Sequence, residues 1–130
     1  MILDTSAMLA MLLEEPEGHL FDVAILGSAA PRISAASLLE CSMILESRNG
    51  ADGVRDLELL IARFRIEIVP FTESQARIAR GAFARFGKGR HPAKLNFGDC
   101  MAYALARETG EDLLFKGTDF SQTDIRAAAY

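Results

Sequence analysis

Met1-Ile2-Leu3-Asp4-Thr5-Ser6-Ala7-Met8-Leu9-Ala10 opens the chain with three apolar residues that stop at an aspartate, followed at once by small and apolar residues. That order reads as a short buried strand with Asp4 at its carboxyl end, running into a helix over 6–14 that Pro16 ends. Further strands are expected at 32–34, 66–71 and 113–115. Helical patterns lie between them. They cover 17–29, 35–48 (closed by Asn49-Gly50 as a left-handed cap), 52–64 behind a capping Asp52, 72–86 and 96–108 stopped by Gly110. The buried face of the helix over 72–86 is expected to be Ala76, Ile78, Ala79, Ala82, Phe83 and Phe86, and one more short element is expected after Asp124. Strands alternating with helices predict an α/β fold, a central short-stranded parallel sheet flanked by helices on both sides. Such sheets carry their sites at the carboxyl ends of their strands.

The 130 residues form one expected domain, 1–130, without repeat or linker. Half are hydrophobic and a quarter charged, which excludes a disordered or fibrous class. Cys41 and Cys100 show no CxxC spacing, which argues against a zinc or redox motif, and two free thiols suit a reducing compartment. The N-terminus lacks the basic region of a signal peptide and no stretch approaches a membrane span, so a cytoplasmic location is expected. Net charge is −4, yet residues 74–98 contain no Asp or Glu. They hold Arg77, Arg80, Arg85, Lys88, Arg90, His91 and Lys94. A basic segment on an acidic protein can grip a phosphate backbone; the competing reading is a solvated helix face and loop.

Four of the eighteen acids stand out by their neighbours. Asp4 ends the first strand, although it would also cap the following helix. Glu40 shares its helical face with Ala36, Ser37, Met43 and Ile44, a mostly apolar stripe on which a carboxylate needs a partner or an exit to water. Asp99 has Ala102 and Tyr103 as helical neighbours. With Asn96 as N-cap it also falls where an acid completes a capping box. Asp119 follows a strand and the turn Lys116-Gly117-Thr118, so it sits at a strand end, as Asp4 does. If the strands near residues 3 and 114 are neighbours, Asp4 and Asp119 meet at one edge and two helices bring Glu40 and Asp99 to it. Carboxylates so placed raise one another's pKa, and a hard cation removes the conflict. Mg²⁺ suits few carboxylates plus substrate phosphate, and Mn²⁺ suits the same ligands.

Taken together, Ile2-Leu3-Asp4-Thr5-Ser6-Ala7, Ser37-Leu38-Leu39-Glu40, the run from Leu95-Asn96-Phe97-Gly98-Asp99-Cys100 through Ala106, and Leu113-Leu114-Phe115-Lys116-Gly117-Thr118-Asp119-Phe120 resemble the PIN-domain nucleases, and within them the VapC toxins of toxin–antitoxin pairs. The resemblance spans essentially the whole chain. It implies that Asp4, Glu40, Asp99 and Asp119 are the catalytic, metal-binding acids, with Asp4 and Asp99 as direct ligands and Asp124 as an alternative to Asp119. It implies that the hydroxyls of Thr5, Ser6 and Thr118 orient these carboxylates. The implied reaction is Mg²⁺- or Mn²⁺-dependent hydrolysis of RNA phosphodiester bonds, with Lys88, Arg90, His91 and Lys94 in a basic loop contacting RNA. The implied partners are a VapB-type antitoxin and a second copy of the chain in a homodimer, with residues 8–13 and 36–45 as contact surfaces.

Three rival readings remain at this point. One is a PIN-type nuclease of RNA processing that is not a toxin. Another is a PIN-like module that binds without catalysis. A phosphatase with an aspartyl nucleophile at Asp4 is disfavoured, because the second Asp such enzymes carry two residues on is here Ser6.

Overall fold

The computed structural model describes all residues, Met1–Tyr130. The elements follow as β1 (Ile2–Leu3), α1 (Thr5–Leu12), α2 (Gly18–Leu26), β2 (Arg32–Ser34), α3 (Ala35–Phe64), β3 (Glu67–Val69), α4 (Glu73–Phe86), α5 (Phe97–Thr109) and β4 (Leu113–Leu114), with a 3-10 turn at Phe120–Gln122. The strands form one parallel sheet in the order β3-β2-β1-β4. Ile2 pairs with Leu113 and Leu3 with Leu114, so β1 and β4 are neighbours and end together.

Successive residues of a strand face opposite sides of a sheet, and the two residues in each of β1 and β4 serve two cores. Ile2 and Leu113 belong to a core with Ala79, Ala82 and Phe86 of α4 and Cys100, Tyr103 and Leu105 of α5. Leu3 and Leu114 belong to a second core with Ala7 and Met8 of α1, Phe21 and Ile25 of α2, and Cys41, Leu45, Leu57 and Phe64 of α3. The expected arrangement, helices on both sides of a parallel sheet, is what the chain forms.

Several local expectations are corrected. Asn49-Gly50 does not end a helix with a left-handed cap. Gly50 has φ 61° and ψ −145°, a conformation essentially restricted to glycine, and the helix resumes immediately after it. α3 is therefore two helical arms joined at one residue. Asp52 accordingly makes no cap; its carboxylate pairs with Arg55 at 3.3 Å. On α4, Ala76 and Phe83 are exposed while Gln75 takes the buried place, donating to the Pro70 carbonyl at 3.3 Å and to Glu108 at 2.8 Å. β3 is shorter than the apolar run that predicted it. The element after Asp124 is a single bridge of Ala127 to Leu113. No helix is long and apolar enough to cross a membrane.

Candidate active site

Asp4 leaves the sheet where β1 ends and caps α1. Its Oδ2 accepts from the Ser6 backbone N–H at 2.9 Å and from the Ser6 hydroxyl at 2.5 Å. The Ser6 oxygen in turn accepts from the backbone N–H of Lys116 at 3.0 Å, just beyond β4. One hydroxyl thus ties the ends of two neighbouring strands to one carboxylate. Asp4 is only 4% exposed. Burial pushes its carboxyl up from 3.8 to about 6; the two bonds from Ser6 oppose the rise, and the charges of Asp99 and Glu40 add to it.

Asp99 is held by the expected capping box. Its Oδ2 accepts from Asn96 N–H at 2.9 Å, while its own N–H donates to Asn96 Oδ1 at 2.9 Å. Burial also raises the Asp99 carboxyl, the bond from Asn96 opposes this, and the charges of Asp119 and Glu40 raise it further. Glu40 projects from α3 toward the first turn of α5, where its carboxylate rests on Gly98: a β-carbon there would collide with both Glu40 carboxylate oxygens. The four predicted acids therefore act on one another electrostatically, although they come from four separate places in the chain.

Asp124 is excluded from this group. Its carboxylate accepts from the Tyr103 hydroxyl at 2.7 Å and pairs with Arg85 at 3.2 Å and Arg107 at 3.7 Å. Burial acts to raise its pKa, but Tyr103 and the two arginines outweigh burial and lower it. The charge of Asp119, and not that of Asp124, adds to the raised pKa of Asp99. Lys116 is likewise turned away, paired with Glu15 and, at 3.4 Å, with Glu17.

Of the three hydroxyls expected to orient carboxylates, only Ser6 does so. Thr5 donates to the Ser37 carbonyl at 3.3 Å. Thr118 is exposed, and only its carbonyl is engaged, by Ser121. One contributor was not legible in the sequence. Gly98 provides the seat for Glu40; its only signal was a helix-disfavoured residue placed inside the first turn of a strong helix. Ser37, one turn before Glu40, has a buried hydroxyl with no partner.

Whether a divalent cation fits can be tested on these donors. No three of the side chains are arranged to hold an ion by themselves. Mg²⁺ does not require that; it keeps several waters and uses one or two carboxylates together with substrate phosphate. The donor set is all oxygen, no cationic side chain pairs with any of the four acids, and Asp4 and Asp99 each use one carboxylate oxygen in a hydrogen bond and keep the other. The residues fit a hard cation.

The basic loop between α4 and α5 is pinned by Lys88 N–H donating to the Leu95 carbonyl and Leu95 N–H donating to that of Phe86. Lys88, Arg90 and Lys94 are exposed. His91 shapes the loop instead: its Nδ1 accepts from Ala93 N–H at 3.1 Å and its ring meets Phe86 edge-on.

The PIN domain family's sequence profile matches residues 1–126. The chain belongs to the PIN domain family. Among curated relatives, this PIN domain is 44% identical to Ribonuclease VapC30 of Mycobacterium tuberculosis over 129 residues, covering 99% of this chain and 98% of that one. Its fold is similar to the crystal structure of M. tuberculosis VapC20, a Sarcin-Ricin loop cleaving toxin, with TM-score 0.77, 16% identity and 95% of each chain covered. It is also similar to VapBC2 from Rickettsia felis bound to a DNA fragment from their promoter, with TM-score 0.73, 14% identity, 97% of this PIN domain and 94% of that chain covered.

Proposed function

We propose that this PIN domain is a metal-dependent endoribonuclease and the toxin of a VapBC-type pair. The observation that carries the reading is the convergence of Asp4, Glu40, Asp99 and Asp119 on one edge of the sheet with no protein cation among them. Near full-length relatedness to VapC ribonucleases supports the reaction class.

A bound Mg²⁺ or Mn²⁺ supplies charge neutralisation at the phosphate and a lower pKa for water. The chain does the rest. Ser6 holds Asp4 through Oδ2 and leaves Oδ1 free to meet an ion. The cap on α5 fixes Asp99 in the same way, and the α5 N-terminus favours negative charge there. Gly98 lets Glu40 approach the helix backbone. Asp119 completes the pocket from beyond β4. Lys88, Arg90 and Lys94 hold the RNA backbone through its phosphates.

The antitoxin surface proposed on α3 is supported by Leu39 and Met43, each 61% exposed and one helical turn apart. That on α1 is narrower than proposed, because Met8 and Ala10 are fully buried. A homodimer is part of the same proposal.

The deciding experiment is cleavage of RNA by purified protein in Mn²⁺ and in EDTA, with Asp4→Asn and Asp99→Asn as controls. Cleavage that requires the ion and both acids is expected. Metal-independent cleavage, or cleavage undiminished by both substitutions, overturns the proposal. Growth arrest on unopposed expression, relieved by a co-expressed antitoxin, separates a toxin from an RNA-processing nuclease.

A further inference from the structure

Phe97 is 81% exposed, the most exposed large hydrophobic residue in the protein. It is the first residue of α5, two positions before Asp99. Residues two apart on a helix point to nearly opposite sides, whereas those three and four apart share a face. Phe97 accordingly shares its face with Cys100 and Met101, and these three line an apolar groove of about 490 Å³ against Phe83 and Arg80 of α4. The first turn of α5 is therefore a ridge. Asp99 and the seat of Glu40 lie on one flank, and an aromatic groove lies on the other.

One cation, Arg80, lines this groove, and a second, Arg90, reaches it over Phe83. The groove is built largely from the stretch 74–98, which contains no acid. The ion pairs of that stretch use Arg77 and Arg85, leaving Arg80, Lys88, Arg90 and Lys94 unpaired. The Arg90 guanidinium lies over the Phe83 ring, 5.2 Å from its centroid. Phe83 is itself 40% exposed. An open aromatic ring beside unpaired arginines, as at Phe97, is a surface on which unpaired bases stack while their phosphates are held. An unpaired arginine in the lining and another over Phe83 suit a ligand that carries phosphates beside its aromatic base.

The geometry points to Phe97, backed by Phe83 and Arg80, as a stacking platform that takes an unpaired base next to the phosphate held at the carboxylates. This rests on the nuclease reading and adds to it. It makes Phe97 a positioning residue for single-stranded RNA, and it gives the enzyme a means to prefer loops and unpaired segments over duplex.

The test measures binding separately from cleavage. Anisotropy of a fluorescein-labelled, mixed-sequence single-stranded oligoribonucleotide is titrated in EDTA with wild type, Phe97→Ala, Phe97→Leu and Phe97→Trp, each checked for an unchanged melting curve. Stacking predicts at least about a fivefold loss of affinity in Phe97→Ala, a similar loss in Phe97→Leu, and recovery in Phe97→Trp. Wild-type affinity in Phe97→Ala overturns the platform. So does wild-type affinity in Phe97→Leu, the pattern of plain apolar contact and of a protein-docking face. A wild type that binds this RNA but never cuts RNA in Mn²⁺ sinks the hydrolytic reading alone, and the platform is then judged on the binding series. A wild type that binds no RNA in EDTA overturns the platform, and the hydrolytic reading is then judged on cleavage in Mn²⁺.

Discussion

The Glu40 carboxylate lies directly on the backbone of Gly98, so closely that the smallest possible side chain at position 98 would occupy its place. Gly98→Ala is therefore expected to separate folding from activity. Alanine favours a helix over glycine by up to about 1 kcal/mol, so the melting temperature should hold or rise. Displacing one carboxylate should lower cleavage about a hundredfold. Full activity in a well-folded Gly98→Ala protein would show that Glu40 does not work from this seat.

Asp4 carries a pH signature. Its folded pKa of about 6 lies above the ordinary 3.8. A group raised in this way contributes stability that is complete below the unfolded pKa and is lost as pH climbs through the folded one. The buried charge thus costs on the order of 3 kcal/mol above pH 6. Asp4→Asn keeps an oxygen for Ser6 and carries no charge. Thermal melts in EDTA should show it more stable than wild type at pH 8, with the gap closing near pH 4. An equal loss at both pH values would refute the assignment of the cost to charge burial.

Added Mg²⁺ or Mn²⁺ should raise the melting temperature of wild type, because an ion that binds only the folded state stabilises it by mass action. The rise should shrink in Asp99→Asn and vanish in the Asp4→Asn/Asp99→Asn pair. If EDTA-treated and metal-loaded wild type melt alike across millimolar ion, the acids do not bind it.

Ser6 and Thr118 make a matched pair of controls. Ser6→Ala removes both the hydroxyl bond to Asp4 and the acceptor for Lys116 N–H, and should weaken metal affinity about tenfold or more. Thr118→Ala should leave affinity and cleavage unchanged. The reverse ranking would overturn the arrangement described at the strand ends.

Asp119→Asn should reduce cleavage, whereas Asp124→Asn should cost roughly 1 kcal/mol of stability through its lost partners and spare the reaction. Charge removal in the basic loop has a different readout. Each of Lys88→Ala, Arg90→Ala and Lys94→Ala should flatten the dependence of RNA affinity on log salt by about 0.7. A slope identical to wild type would remove that residue from the phosphate path.

Much of this was legible in the chain, for identifiable reasons. Asp4 follows Leu3 with nothing between, so the strand end and the site are the same place in sequence. Asn96 and Asp99 have capping-box spacing, and that box formed. Long-range pairing was not legible: Thr5 reaches Ser37, and Asp124 reaches Tyr103, Arg85 and Arg107. Nothing local to Thr5, Thr118 or Asp124 reveals which hydroxyl meets a carboxylate or which acid is already neutralised. The exposed Phe83 misled for a related reason. Helical periodicity marks it as core, but α5 covers only the strip of α4 that carries Gln75, Ala79, Ala82 and Phe86.

The bend at Gly50 bears on how many chains make one folded unit. A straight helix of 30 residues would be about 45 Å long, a rod reaching past the edge of a body this small. Folded at Gly50, it returns Leu57, Leu60 and Phe64 to the core that already holds Cys41 and Leu45. A residue unable to adopt that backbone would extend the far arm into solvent with its apolar residues uncovered. The nearest matching surface would then be that of a neighbour in the same predicament, and reciprocal exchange of arms between two copies is the economical way out. One glycine thus keeps the polypeptide self-contained.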